Sequence, residues 1–163
     1  MPKIANSIED LIGHTPILRL NKYSGFYRLS NAIYLKLESL NPTGSIKDRV
    51  ALAVITQAEK EGRLGSSNVL IAEGNAGNFS VSLAAIAAAK GYKFIAVMPD
   101  NAPKERVALI RHFGAQVVLT PAAKGENGVT AKMNEIKRRY PEVFIPSLST
   151  NPANANIHKT ATA

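Results

Sequence analysis

The sequence contains no cysteine, which excludes disulfides, thiolate catalysis and cysteine-ligated metal sites. It also contains no apolar run that approaches the length of a membrane span. The N-terminal residues "MPKIANSIEDLIG" lack the charged and apolar blocks of a signal peptide. These absences predict a protein of the cytoplasm that does not interact with a membrane.

Histidine is scarce, and His14, His112 and His158 stand far apart without the spacing of metal ligands. We therefore expect each to be an ordinary polar residue, and we expect no metal site.

Acidic residues are outnumbered, since 12 Asp and Glu face 20 Lys and Arg and the formal net charge is +8. The positive charge is dispersed, apart from the cluster Lys137–Tyr140, which ends a predicted helix where the helix dipole favours cations. A basic nucleic-acid-binding domain would rest on net charge alone, because no aromatic residues interleave with the basic ones. We expect no nucleic-acid partner.

Short β-branched runs alternate with longer Ala-rich helical segments along the chain. This alternation, in a 163-residue chain with 45% hydrophobic residues, predicts one α/β domain built on an open, mostly parallel sheet with helices on both faces. Ligands of such sheets lie beyond the carboxyl ends of the strands. The predicted strands cover residues 32–38, 69–73, 93–99, 115–120 and 142–146, and the predicted helices cover residues 46–61, 79–91, 103–114 and 127–139.

The stretch "NPTGSIKDR" combines a turn with the start of a helix. Ser45 is the predicted N-cap, and Asp48 lies three residues on, as in a variant of the capping box. Lys47 then falls near the positive end of the helix, where a cation is unfavourable, and a neutral lysine is a nucleophile toward an aldehyde cofactor. The alternative is a surface lysine whose charge Asp48 partly offsets, and the spacing alone leaves both interpretations open.

Around these residues the chain resembles the N-terminal half of the fold-type II pyridoxal-phosphate enzymes, the cysteine synthase and cystathionine β-synthase family. Six stretches carry the resemblance in the family's order: "LIGHTPILRLN", "KLESLNPTGSIKDR", "EGNAGN", "AAAKGY", "MPDNAPKERVALIRHFGAQVVLT" and "NPANANIH". They cover nearly the whole chain, and the ordered set is far more specific than any one motif.

The resemblance implies pyridoxal 5'-phosphate as the cofactor. Lys47 matches the lysine that forms a Schiff base with the cofactor and then removes the substrate Cα proton. Asn78 matches the asparagine that hydrogen-bonds the ring oxygen of the cofactor. The residues around Asn78 match the loop that holds the α-carboxylate of the substrate, and they are Asn75, Ala76, Gly77 and Phe79.

This loop departs from the family pattern, which usually reads Thr-Ser-Gly-Asn-Thr-Gly where this chain reads "NAGNFS". The side-chain hydroxyls that would face a carboxylate are absent, although backbone donors remain. Where the family often has a glutamine that helps to clamp the same carboxylate, this chain has Ser147 and Leu148.

Family chains continue into a further domain that carries a Gly-rich loop for the cofactor phosphate. The resemblance therefore predicts that residues 1–35 are the segment that packs on this second domain. Residues 36–146 would form the α/β domain, and residues 147–163 would be a tail or the start of a missing C-terminal domain. We expect weak cofactor binding, or none, in this chain by itself.

By resemblance, the expected function is cysteine synthase-like β-replacement or β-elimination on an activated serine such as O-acetylserine. The protein would be a transferase or lyase of cysteine biosynthesis, with a small amino-acid substrate and a homo-oligomeric, for example homodimeric, state. As a 163-residue chain we expect this activity to be impaired or incomplete. The open alternative is a non-catalytic truncated paralogue or binding domain that retains the fold.

Overall fold

The structure is a computed structural model that describes residues 4–65, 70–74 and 77–163. Short 3-10 turns precede several elements. The strands and helices, in chain order, are β1 (Ile17–Arg19), α1 (Asn21–Phe26), β2 (Tyr34–Lys36), α2 (Lys47–Lys60), β3 (Leu70–Glu73), α3 (Asn78–Lys90), β4 (Lys93–Pro99), α4 (Lys104–His112), β5 (Gln116–Thr120), α5 (Gly125–Arg139) and α6 (Pro152–Ile157).

The central sheet is parallel, with the strand order β3-β4-β5. The last predicted strand contributes a single parallel bridge between Phe144 and Ile71, so the chain near Phe144 lies on the far side of β3 from β4. The α/β class and the parallel sheet that the sequence predicts are confirmed.

The first predicted strand does not belong to this sheet. β2 pairs antiparallel with β1, and Leu18 lies opposite Leu35 in a separate two-stranded sheet. The prediction that residues 32–38 join the parallel sheet is therefore wrong. The strand is largely exposed, whereas a strand of a parallel sheet is buried on both faces.

Helices cover both faces of the central sheet, as predicted. On one face, Ile136 of α5 packs with Ala72, Ile95 and Val97 of the strands. The larger part of the core lies on the other face, where α2, α3 and α4 pack. α3 is the most deeply buried of them, since its side chains from residue 79 to residue 87 are all buried between the sheet and α2.

The predicted helix ends agree with the structure to within two residues. Gly91 shows the cause at the end of α3, because it adopts the left-handed conformation (φ 75°) that favours glycine and stops the helix. None of the helices in the described ranges is long and apolar enough to cross a membrane.

The last residues of the chain fold back onto α2. α6 packs against α2, and the backbone carbonyl of Ala161 accepts a hydrogen bond of 2.8 Å from Nη1 of Arg49. Arg49 thus ties the end of the chain to the first turn of α2, beside Lys47.

Candidate functional site

Lys47 is the first residue of α2, and its side chain is half-buried. Its backbone N–H donates to the Ser45 hydroxyl over 3.2 Å, while the N-cap position belongs to Ile46 and has no side-chain cap. Within residues 4–65, 70–74 and 77–163, no carboxylate forms an ion pair with the Lys47 ammonium.

The Asp48 carboxylate does not complete a capping box with Ser45, so that prediction is wrong, and among the described residues it forms no ion pair with Lys47. Asp48 is 1% exposed, and its oxygens accept hydrogen bonds from the Thr43 backbone N–H (2.7 Å), the Thr43 hydroxyl and the Ser82 hydroxyl (2.6 Å). The cause is burial, because a buried carboxylate takes donors from whichever element encloses it.

Ser82 connects this carboxylate to the first turn of α3. Its hydroxyl also lies 3.0 Å from the backbone carbonyl of Asn78, the first residue of that helix. The starts of α2 and α3 therefore lie side by side at the carboxyl edge of β3. The fold brings Lys47 and Asn78, which are predicted from the sequence, to the same edge.

The Asn78 side chain is exposed, and its Oδ1 accepts a hydrogen bond of 3.3 Å from Nη2 of Arg106 on α4. Sequence reasoning missed Arg106. The basic residue stands in the quoted "MPDNAPKERVALIRHFGAQVVLT" stretch, but no local pattern there indicates a contact with Asn78.

The remaining residues of the predicted carboxylate-binding loop are Asn75, Ala76, Gly77 and Phe79. Asn75 and Ala76 lie outside the described residues. Gly77 is the N-cap of α3 and is half-buried. Phe79 is 1% exposed and belongs to the main core, so its ring points inward and does not face a ligand.

Glu73 is a further acidic residue at this edge that the sequence analysis missed. It ends β3, is 7% exposed, and its Oε2 has no hydrogen-bond partner among the residues that the structure describes. Burial raises its pKa to about 7, against the opposing effect of hydrogen bonds from the backbone N–H groups of Ser147 and Gly74. The available signal was a carboxylate directly after the apolar strand "VLIA".

Comparison with known proteins identifies the family of this chain. The family model described as "Pyridoxal-phosphate dependent enzyme" matches residues 8–163. This chain belongs to that family.

Relatives within the pyridoxal-phosphate-dependent family match over almost the full chain. The chain is 44% identical to a probable cysteine synthase of Bacillus subtilis, over 100% of this chain and 51% of the relative. It is 41% identical to O-ureido-L-serine synthase of Streptomyces lavendulae, over 97% of this chain and 47% of the relative. The chain therefore spans about half the length of these relatives.

Solved structures agree with this assignment. A hydrogen sulfide-producing enzyme of Fusobacterium nucleatum superimposes with a TM-score of 0.92 at 40% identity, over 99% of this chain and 52% of that chain. An O-acetylserine-dependent cystathionine β-synthase of Helicobacter pylori superimposes with a TM-score of 0.87 at 33% identity, also over 99% and 52%.

The donor set of the site suits one end of pyridoxal phosphate. A primary amine that no carboxylate of the described chain engages suits the aldehyde carbon, and an exposed amide on the neighbouring helix suits the ring oxygen. Lys47 and Asn78 would therefore hold the aldehyde end of the cofactor.

Proposed function

We propose that this chain provides the cofactor-lysine part of a cysteine synthase-type enzyme. The reaction is β-replacement or β-elimination on an O-activated serine such as O-acetylserine, in cysteine biosynthesis. The relatives named as cysteine synthases and as O-ureido-L-serine synthase, at 38% to 44% identity, support this class of reaction.

One observation carries the proposal: the first residues of α2 and α3 are joined at one sheet edge. The Asp48 carboxylate and the Ser82 hydroxyl lie 2.6 Å apart, and each belongs to the first turns of the helix that presents Lys47 or Asn78. A proton-abstracting amine and a cofactor-binding amide need a fixed separation, because catalysis depends on the placement of reacting groups.

The roles of the residues follow from their chemistry. The Lys47 amine would hold the cofactor at its aldehyde carbon and would serve as the base for the proton on the Cα atom of the substrate. Asn78 orients the cofactor through its side-chain amide, with Arg106 fixing the Oδ1 side of that amide. When bound, pyridoxal phosphate supplies an electron sink for the carbanion at Cα.

The α-carboxylate of the substrate is held by the first turn of α3. Gly77 is the N-cap of this 13-residue helix and Phe79 is its second residue, so their backbone lies at the end of α3 where the helix dipole favours an anion. Asn75 adds a polar side chain in the sequence, whereas Ala76 and Phe79 have no side-chain donor. We therefore propose a carboxylate grip made chiefly by backbone groups.

Reductive trapping tests the assignment of Lys47. The chain is incubated with pyridoxal phosphate, reduced with borohydride and digested, and the labelled lysines are mapped by mass spectrometry. We expect most of the label on Lys47, no such label in Lys47→Arg, and an unchanged pattern in Lys60→Arg, which alters the exposed lysine at the other end of α2. Label spread evenly over the exposed lysines would contradict the proposal.

Release of acetate from O-acetylserine, with and without sulfide, tests the reaction itself. Release that depends on Lys47 supports the β-replacement class. Specific labelling of Lys47 without any release would favour the non-catalytic alternative, a binding domain that keeps the fold and the cofactor lysine.

A further inference from the structure

The junction between α2 and α3 contains a buried carboxylate that is hydrogen-bonded by neutral donors among the residues that the structure describes. Asp48 has no ion-pair partner in the described part of the chain, and its oxygens accept from Thr43 and Ser82 alone. A buried carboxylate is tolerated only when hydrogen bonds replace its hydration, so the loss of any one of these donors would be costly.

The donors of Asp48 differ in what they connect. Thr43 lies five residues before Asp48, in the loop that leads into α2, so its contacts fix that loop on the first turn of its own helix. Ser82 lies 34 residues away on α3, and within the described residues it is the donor that reaches Asp48 from another helix. The Ser82 hydroxyl also contacts the Thr43 hydroxyl at 3.1 Å.

The same hydroxyl lies 3.0 Å from the Asn78 carbonyl, one turn earlier on α3. One side chain thus contacts the neighbour of Lys47 on one helix and the backbone of Asn78 on the other. Ser82 is 0% exposed, so water does not compete for these contacts.

We propose that Ser82 is a positioning residue that sets the placement of Lys47 relative to Asn78, through its hydrogen bond to Asp48 on α2 and its contact with the Asn78 carbonyl one turn earlier on α3. This inference rests on the proposed function. Ser82 touches neither cofactor nor substrate. Without the Ser82 hydroxyl, the hydrogen bonds to Asp48 that remain among the described residues come from Thr43, just before α2, and the start of α2 is free to shift against α3.

The test measures the share of trapped pyridoxal phosphate found on Lys47, together with the thermal stability of each variant. In Ser82→Ala we expect the share on Lys47 to fall about tenfold relative to the exposed lysines, because displacements of an ångström at a reacting group cost one to two orders of magnitude in rate. Ser82→Thr, which keeps the hydroxyl, should retain most of the selectivity. The absorption of the bound cofactor provides a second readout that a change in stability alone would not move.

Thr120→Val is the matched control. Thr120 is 4% exposed, and its hydroxyl donates to the Met98 carbonyl at 3.4 Å on the sheet, away from both helices. We expect it to lower stability without changing the share on Lys47. If Ser82→Ala does not fold, Ser82→Cys replaces it, since the thiol fits a similar space but is a weak donor.

The outcomes separate the two proposals. A wild-type chain without preferential labelling of Lys47 contradicts the proposed function. A wild-type chain labelled on Lys47, with Ser82→Ala or Ser82→Cys indistinguishable from Thr120→Val, overturns the positioning role and leaves the function intact.

Discussion

The buried Arg49 and the half-buried Glu38 form a bidentate ion pair close to Lys47 in sequence. Nε of Arg49 lies 2.7 Å from Oε2 of Glu38, and Nη2 lies 2.9 Å from Oε1. The hydrogen bond from Arg49 is the largest of the effects that lower the pKa of Glu38 to about 2. The pair fixes the loop before α2 onto the helix that begins with Lys47.

We predict that Glu38→Gln lowers the free energy of unfolding by about 3 kcal/mol at neutral pH, because it leaves a buried guanidinium without its charge partner. A lowered carboxyl pKa stabilises the fold above the ordinary value of 4.5, and this contribution is lost as the pH falls toward 2. Urea unfolding from pH 7 down to pH 3 should therefore show the difference between wild type and variant shrinking. Glu135→Gln, at an exposed pair with Lys132, is the control and should change stability little. A difference that does not depend on pH would show that Glu38 acts through packing alone.

The contribution of Glu73 to stability should have the opposite pH dependence to that of Glu38. The Glu73 pKa of about 7 in the fold exceeds the ordinary 4.5, so the neutral form is favoured on folding. Its stabilising contribution is fully present below pH 4.5 and is lost as the pH rises through 7. We expect Glu73→Gln, which imitates the neutral form, to gain about 3 kcal/mol relative to wild type between about pH 4 and pH 8. Glu142→Gln, at an exposed carboxylate, should show no such gain, and a flat difference for Glu73→Gln would exclude this titration.

Phe79→Ala should destabilise the fold by about 3 to 5 kcal/mol, because it opens a cavity where an aromatic ring fills the core. Phe26→Ala is the matched control, since that ring is 79% exposed and its loss should cost less than about 0.5 kcal/mol. Denaturant unfolding of both variants measures the difference. Equal stability of the two would mean that the ring of Phe79 lies at the substrate loop and not in the core.

We also expect the chain to self-associate through the β1–β2 sheet. Leu18 and Leu35 lie opposite each other on one face and are exposed by 49% and 47%. Burying such a surface is favourable by about 25 cal/mol per Å² of apolar area before the entropic cost of association. Leu35→Lys should shift sedimentation toward the monomer, whereas Asn127→Lys on the exposed face of α5 should not. A wild-type chain that is monomeric at every concentration would show that the exposed face of the β1–β2 sheet does not drive association.

The central part of the fold is predictable from sequence because its signals are local. Apolar runs bounded by glycine and proline define the elements from β3 to α5, and Gly91 ends α3 by its own backbone preference. The pairing of strands is less predictable from the sequence. The residues of β2 have the composition of a strand, but its partner is set by β1 and not by the alternation of strands and helices.

The family pattern predicts roles for residues and does not predict their contacts. Lys47 and Asn78 are proposed as site residues from that pattern. The partner of Asp48 is not predicted, because a capping box is a local preference, and the burial that joins Asp48 to Ser82 exists only once α2 packs on α3. The inward orientation of Phe79 depends on the same packing.

The Arg49 guanidinium also has consequences for the order of folding. It donates to the carbonyl groups of Gly13 and Ala161, which lie 36 and 112 residues away in sequence. Contacts between distant residues close large loops, and their entropic cost delays them relative to contacts between neighbouring elements. The parallel strands should therefore assemble first, and the Lys47 end of α2 should be fixed late. A newly made chain would then pass through a state in which the sheet is formed but Lys47 is not yet in place.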